Sequence, residues 1–158
     1  MFAVFILVGV FIPKVNFSSS IEVNKPIGEC WNVFMDDSKL SEWLPGFKST
    51  EHLSGENNAV GSTYNMIFEE KGKTFEMMET LTTVETNKQF SFNLDHKVMS
   101  SSNDVFFESN GNNTIIKGAT STKGKGLIMR AMFPFLKKSM QKNNQLAYAN
   151  LKKLIEAS

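Results

Sequence analysis

The stretch LIMRAMFPFLKKSMQKNNQLAYANLKKLIEA, Leu127–Ala157, decides how the rest of the chain is read. Apolar residues recur at Ile128, Met132, Leu136, Met140, Ala147, Leu151 and Leu154, in steps of three and four with one polar interruption near Asn143. That is the period of an amphipathic helix. Lys137, Lys138, Gln141, Lys142, Gln145, Lys152 and Lys153 fall on the other face, which suits water and, toward the C-terminus, the negative end of the helix dipole. Gly124 and Gly126 mark the entry. Pro134 has no amide hydrogen, so the helix either starts near Phe133 or kinks there after a short first turn. At about 1.5 Å per residue the segment would run roughly 45 Å, too long for so small a domain unless something broad covers it.

Upstream the period changes from that of a helix to that of strands. Val15, Phe17, Ser19, Ile21 and Val23 alternate with Asn16, Ser18, Ser20 and Glu22, the pattern of a half-buried strand. Asn24 offers an N-cap and Pro26 an early helical position, which predicts a helix over Pro26–Met35 burying Cys30, Trp31 and Phe34. A second short helix, capped by Asp37 or Ser38, turns Leu40 and Trp43 inward and ends at Pro45-Gly46. Six further stretches have strand character: Phe47–Leu53, Gly61–Glu69, Lys73–Val84, Gln89–Lys97, Met99–Ser109 and Asn113–Thr122. Short turn segments such as Lys71-Gly72 and Asn110-Gly111-Asn112 separate them, so consecutive strands form an antiparallel meander. One parity is rich in Phe and Met and the other in Ser, Thr, Asn and Glu, so one face packs and the other meets water.

The expected fold class is therefore α+β: a curved seven-stranded antiparallel sheet wrapped on a long C-terminal helix, with two short helices after the first strand. A sheet this wide curls, and the terminal helix is the element able to fill its concave face. Where that filling is incomplete, a cavity results.

Length and composition bound the function. A chain of 158 residues reads as one domain, large enough for a core without disulfide or metal staples. Lys and Arg number 17 against 16 Asp and Glu, so no global field recruits nucleic acid, and no nucleic-acid partner is expected. The single cysteine, Cys30, excludes an internal disulfide. Fourteen Phe and nine Met are the residues that line pliable apolar cavities as well as ordinary cores.

Residues 1–13 stand apart from the domain at 14–158. MFAVFILVGVFI, Met1–Ile12, is apolar throughout, shorter than the ~20 residues a spanning helix needs, and has no basic start or small-residue cleavage site. Three readings stay open: part of a truncated membrane anchor, an interfacial or partner-binding segment, or a buried first strand. The expected localisation is membrane-anchored through residues 1–12, otherwise cytoplasmic. Nothing in the pattern specifies an oligomer.

IEVNKPIGECWNVFMDDSKLSEWLPGFKSTEHLSGENNAVGSTYNM, Ile21–Met66, resembles the opening of the START-like or SRPBCC superfamily, which has the helix-grip fold, and in particular its polyketide cyclase/dehydrase-like branch. The shared features are a strand, a Pro-initiated helix with a Trp, an Asp-rich break, a Trp-Leu-Pro-Gly turn and a Gly-led strand. In outline the resemblance covers residues 15–157. It implies a hydrophobic pocket between the curved sheet and the long helix that binds lipids, sterols, polyketides or plant hormones, and in a few branches catalyses. On that basis the ligand-binding candidates are Tyr64, Met66, Phe68, Phe75, Met77, Phe90 and Phe92 from the strands. Met129, Met132, Phe133 and Leu136 join them from the helix.

The residues offer little chemistry. His52 and His96 stand alone beside turns, with no second His or Cys near either, so no metal and no cofactor are expected. Gly124-Lys125-Gly126 lacks the flanking pattern of a phosphate loop and reads as the entry to the helix. Glu79 is the one catalytic candidate: it shares the parity of Phe75, Met77 and Leu81, where an apolar setting would raise its pKa, unless Glu79-Thr80 marks a bulge that reverses the parity. The leading expectation is a binding module for a small hydrophobic ligand, lipid or polyketide-like. The alternatives are a polyketide cyclase/dehydratase-type enzyme using the same cavity and a co-chaperone-like protein-interaction domain using the outer surface.

Overall fold

The computed structural model describes residues 14–158. The reading of residues 1–12 as an anchor lies outside these residues. Strand β1, Val15–Val23, is followed by helix α1, Ile27–Phe34, a 3-10 turn, Asp37–Lys39, and helix α2, Leu40–Trp43. Strands β2, Phe47–Ser54, β3, Thr63–Glu70, β4, Lys73–Glu85, β5, Gln89–Asp95, β6, Met99–Asn110, and β7, Asn113–Gly124, lead into helix α3, Gly126–Ala157. The order across the sheet is β1-β7-β6-β5-β4-β3-β2, every neighbour antiparallel.

Local chemistry sets the turns. Lys71 and Gly72 both have positive φ, 52° and 75°, the backbone that a two-residue hairpin needs to match strand twist. The meander from β2 to β7 then follows from short connections. Because β7 returns to pair with β1, the two sheet edges are β1 and β2. The chain must cross from one edge to the other between them, and α1 and α2 make that crossing over the concave face. Pro26 is the N-cap of α1 and adopts an extended conformation, φ −62° and ψ 152°; the expected cap Asn24 instead donates its backbone N–H to Glu156 at 3.0 Å. The 3-10 turn is capped ahead of both expected positions, Asp37 and Ser38: the Asp36 carboxylate accepts from the Ser38 N–H at 3.1 Å.

The largest correction concerns α3. Its buried residues are Ala131, Phe133, Ala147, Tyr148, Leu151 and Ile155, whereas Ile128, Met132 and Leu136 are exposed. Phe133 and Leu151 are eighteen residues apart, about five full turns, so they lie on one line of the helix. A stripe in steps of four drifts about 40° per step from that line, which carries Met132 and Leu136 to its flank. The first turns are apolar nearly all round, so the pattern there does not select a face. Pro134 lies inside the helix rather than at its start.

The main packing partners of α3 are β1, β7, α1 and α2. Its C-terminal half seals one end of the concave face with Tyr148, Leu151 and Ile155 against Val23, Cys30 and Ile116. At Gly118 the Tyr148 ring sits where a β-carbon would be, so the helix reaches β7 through the missing side chain. An aromatic cluster continues the core toward the other end: Trp31 meets Phe107 edge-on at 5.1 Å, Phe34 meets Phe90 at 5.4 Å, and Phe34 meets Trp43 at 5.7 Å.

Candidate functional site

Beyond that cluster the concave face of β2–β5 is not filled. A cavity of about 120 Å³ remains between these strands and the crossing made by α1 and α2. The sheet contributes Thr50 from β2, Tyr64, Met66 and Phe68 from β3, Glu79 and Leu81 from β4, and Phe90, Phe92 and Leu94 from β5. The roof consists of Phe34, Met35, Asp37, Leu40, Trp43 and Leu44, with Asn58 from the β2–β3 loop at the side.

Register explains which residues meet there. Tyr64, Glu79 and Leu94 are directly paired across β3, β4 and β5, so the three side chains form one row on the inner face. Leu81 pairs with Phe92 in a neighbouring row, and the bulge of β4 falls between Leu81 and Thr83, after Glu79. The parity that brings Glu79 inward is therefore intact.

Of the sequence candidates, Tyr64, Met66, Phe68, Phe90 and Phe92 line the cavity. Phe75 and Met77 share their parity but lie outside the lining: Phe75 stacks on Phe68 at 5.7 Å and meets His96 edge-on at 6.0 Å, while Met77 is buried in the sheet's packing. Met129, Met132, Phe133 and Leu136 are not brought to it. Among the described residues no part of α3 lines the cavity. The reason is topological: α3 packs over β1 and β7, and the β2–β5 end is roofed by the crossing helices. Phe34, Leu40 and Trp43 read from the sequence as inward-facing core. The strand order that turns them into cavity wall is a long-range fact with no local signal.

The polar groups at the cavity have distinct states. The Tyr64 hydroxyl is committed to the loop, accepting from the Asn58 N–H at 2.7 Å and donating to Asn57 Oδ1 at 2.9 Å. Loss of hydration on burial, followed by the nearby charge of Asp37, pushes Glu79 up to about 7. Asp37, on the rim, is also raised, first by its partial burial and then by Asp36. The Trp43 indole Nε1–H is buried and has no hydrogen-bond partner among the described residues. Among the described residues no lysine, arginine or histidine lines the cavity. His52 is exposed and stacks obliquely on Tyr64 at 5.0 Å. Lys125, in the glycine-flanked entry to α3, is paired with Asp95 at 2.7 Å. Among the described residues no three His, Cys, Asp or Glu side chains converge as a metal site would require.

Solved structures share the whole architecture at low sequence identity. A START superfamily protein from Mycobacterium smegmatis superposes with a TM-score of 0.74 at 16% identity, covering 90% of this chain and 98% of the other. Ara h 8.0201 superposes with a TM-score of 0.72 at 14% identity, covering 92% and 99%. The di-domain ARO/CYC StfQ from the steffimycin biosynthetic pathway gives 0.73 at 11% identity, with this chain covering 91% of itself and 51% of that chain. The fold is thus the helix-grip fold of START-like proteins. By sequence, no protein-family model matches the chain, and no curated protein does.

Proposed function

We propose that this domain binds a small hydrophobic ligand in the cavity between β2–β5 and the crossing helices α1 and α2. The observation that carries the reading is the cavity itself: a concave surface walled by Phe34, Trp43, Met66, Phe68, Leu81, Phe90 and Phe92, left unfilled where a packed core would have filled it. Its size suits a single aromatic ring or a short acyl end, since an engineered apolar cavity of about 150 Å³ accepts benzene. The ligand is then a whole small molecule or the end of a lipid or polyketide. Glu79 is the group of the sheet that would orient it.

Native mass spectrometry of the purified full chain, with organic extraction of whatever co-purifies, tests the proposal. The expected result is an apolar adduct near one per chain, or uptake of one from a panel of fatty acids, sterols, aromatic polyketides and toluene. A clean apo mass with no uptake from that panel would remove it and turn attention to the outer surface.

One observation favours a second reading, an enzyme of cyclase or dehydratase type. A carboxyl held near neutral pH in an apolar cavity is poised for proton transfer. Under that reading Glu79→Gln abolishes turnover of a bound polyketide while leaving its binding intact.

A further inference from the structure

The charge balance of the cavity narrows the ligand class, and the inference rests on the binding reading above. Two carboxyl groups, Glu79 and Asp37, line one small space, and among the described residues no cationic side chain lines it with them. The six ion pairs among the described residues involve neither. Neither carboxyl accepts a side-chain hydrogen bond from the lining: the Tyr64 hydroxyl is spent on Asn57 and Asn58. Five aromatic rings, of Phe34, Trp43, Phe68, Phe90 and Phe92, stand around the same volume among aliphatic side chains such as Leu40, Leu81 and Leu94. Aromatic faces attract cations through their quadrupole, most strongly where water is excluded.

We infer that the cavity is a receptor for a small organic cation: a protonated amine on a ring-sized apolar body, its ammonium set against Glu79 and Asp37 and its body among the aromatic and aliphatic side chains. An anionic ligand is disfavoured by both carboxyls, and a neutral hydrocarbon leaves both unmet.

The cation also accounts for a buried carboxyl that would otherwise cost stability. An ammonium beside Glu79 favours the ionised acid, so binding releases a proton near neutral pH and tightens as pH rises. The charge that bears on this titration is Asp37 on the 3-10 turn, with Asp36 and Lys39 beside it in sequence; Tyr64 on β3 pairs with Glu79, His52 lies against Tyr64, and α1 and β5 bring no ionisable side chain to the cavity.

Three one-ring probes separate charge from size: benzylamine, benzyl alcohol and benzoate, titrated into the full chain by calorimetry at about pH 5.5 and about pH 8. Benzylamine is expected to bind best, gaining roughly tenfold between the two pH values, a change equivalent to one pKa unit. Glu79→Gln should weaken benzylamine roughly tenfold and remove most of its pH dependence, with a smaller change for benzyl alcohol. Asp37→Asn, on the exposed turn, should weaken benzylamine by a smaller factor, and it remains informative if the Glu79 variant folds poorly. Benzyl alcohol or benzoate binding as well as benzylamine would overturn the cation assignment while leaving the hydrophobic-ligand reading intact. Failure of all three probes would count against both.

Discussion

At the residue scale, Glu79 connects the sequence pattern to function most directly. Its inward position was legible because Phe75, Met77 and Leu81 alternate around it with period two, and the register bears that parity out. Asp37 was not legible in the same way. The sequence offered it as a helix cap, but Asp36 takes that role through the Ser38 N–H and leaves Asp37 at the cavity rim. The raised pKa of Glu79 has a stability consequence whose sign is opposite to that of a salt-bridged acid. Unfolded, a glutamate loses its proton near 4.5; folded, Glu79 keeps it to about 7. Between those values the folded state binds more protons, so stability falls as pH rises through that window and stays low above it. The full loss is about 3 kcal/mol. Glu79→Gln should therefore match the parent near pH 4.5 and exceed it above neutral pH, by about 1–3 kcal/mol in chemical denaturation. A difference that is the same at acid and alkaline pH would show that Glu79 titrates normally.

At the element scale, the strands and the long helix were readable from periodicity, but the face of α3 was not. Its first turns carry Leu127, Ile128, Met129, Met132, Phe133 and Leu136 on several sides, so hydrophobicity alone has no preferred direction there. The face is chosen by contacts distant in sequence. Ser19 on β1 donates to Asn144 Oδ1 at 2.6 Å, and Tyr148 settles over Gly118 on β7. The polar residue near the middle of the helix, read as an interruption of its sticky stripe, is thus next to the one that fixes its rotation. Gly118 is not required by its backbone conformation; it is required by the Tyr148 ring. Gly118→Ala should consequently lower stability by about 1–3 kcal/mol, the usual cost of overpacking, with the loss read as a shift in denaturation midpoint. A neutral outcome would mean that α3 slides without penalty and that its seating is not set by that contact.

At the scale of the whole molecule, strand order determines where the cavity is. A sheet ordered β1-β7-β6-β5-β4-β3-β2 sends the chain across its concave face between the first two strands. The terminal helix packs at the β1–β7 end, so the unfilled space falls under α1 and α2 instead of under α3. The size of that space is then set by large side chains on both surfaces, and this predicts discrimination by ligand size. In the parent protein toluene should bind and 1-methylnaphthalene should bind weakly or not at all, because a cavity of about 120 Å³ has room for one ring. Phe92 forms part of the wall on β5 and is only partly buried, so Phe92→Ala enlarges the cavity at a cost of about 2–3 kcal/mol in stability. The variant should reverse the preference and favour the two-ring probe, as followed by calorimetry or by the fluorescence of Trp43 in the opposite wall. Equal binding of both probes to the parent would mean that the α1–α2 roof lifts to admit a ligand. The volume seen here would then be the resting state of an adjustable site, and substitutions in that roof, at Leu40 or Leu44, would control selectivity in place of those in the sheet.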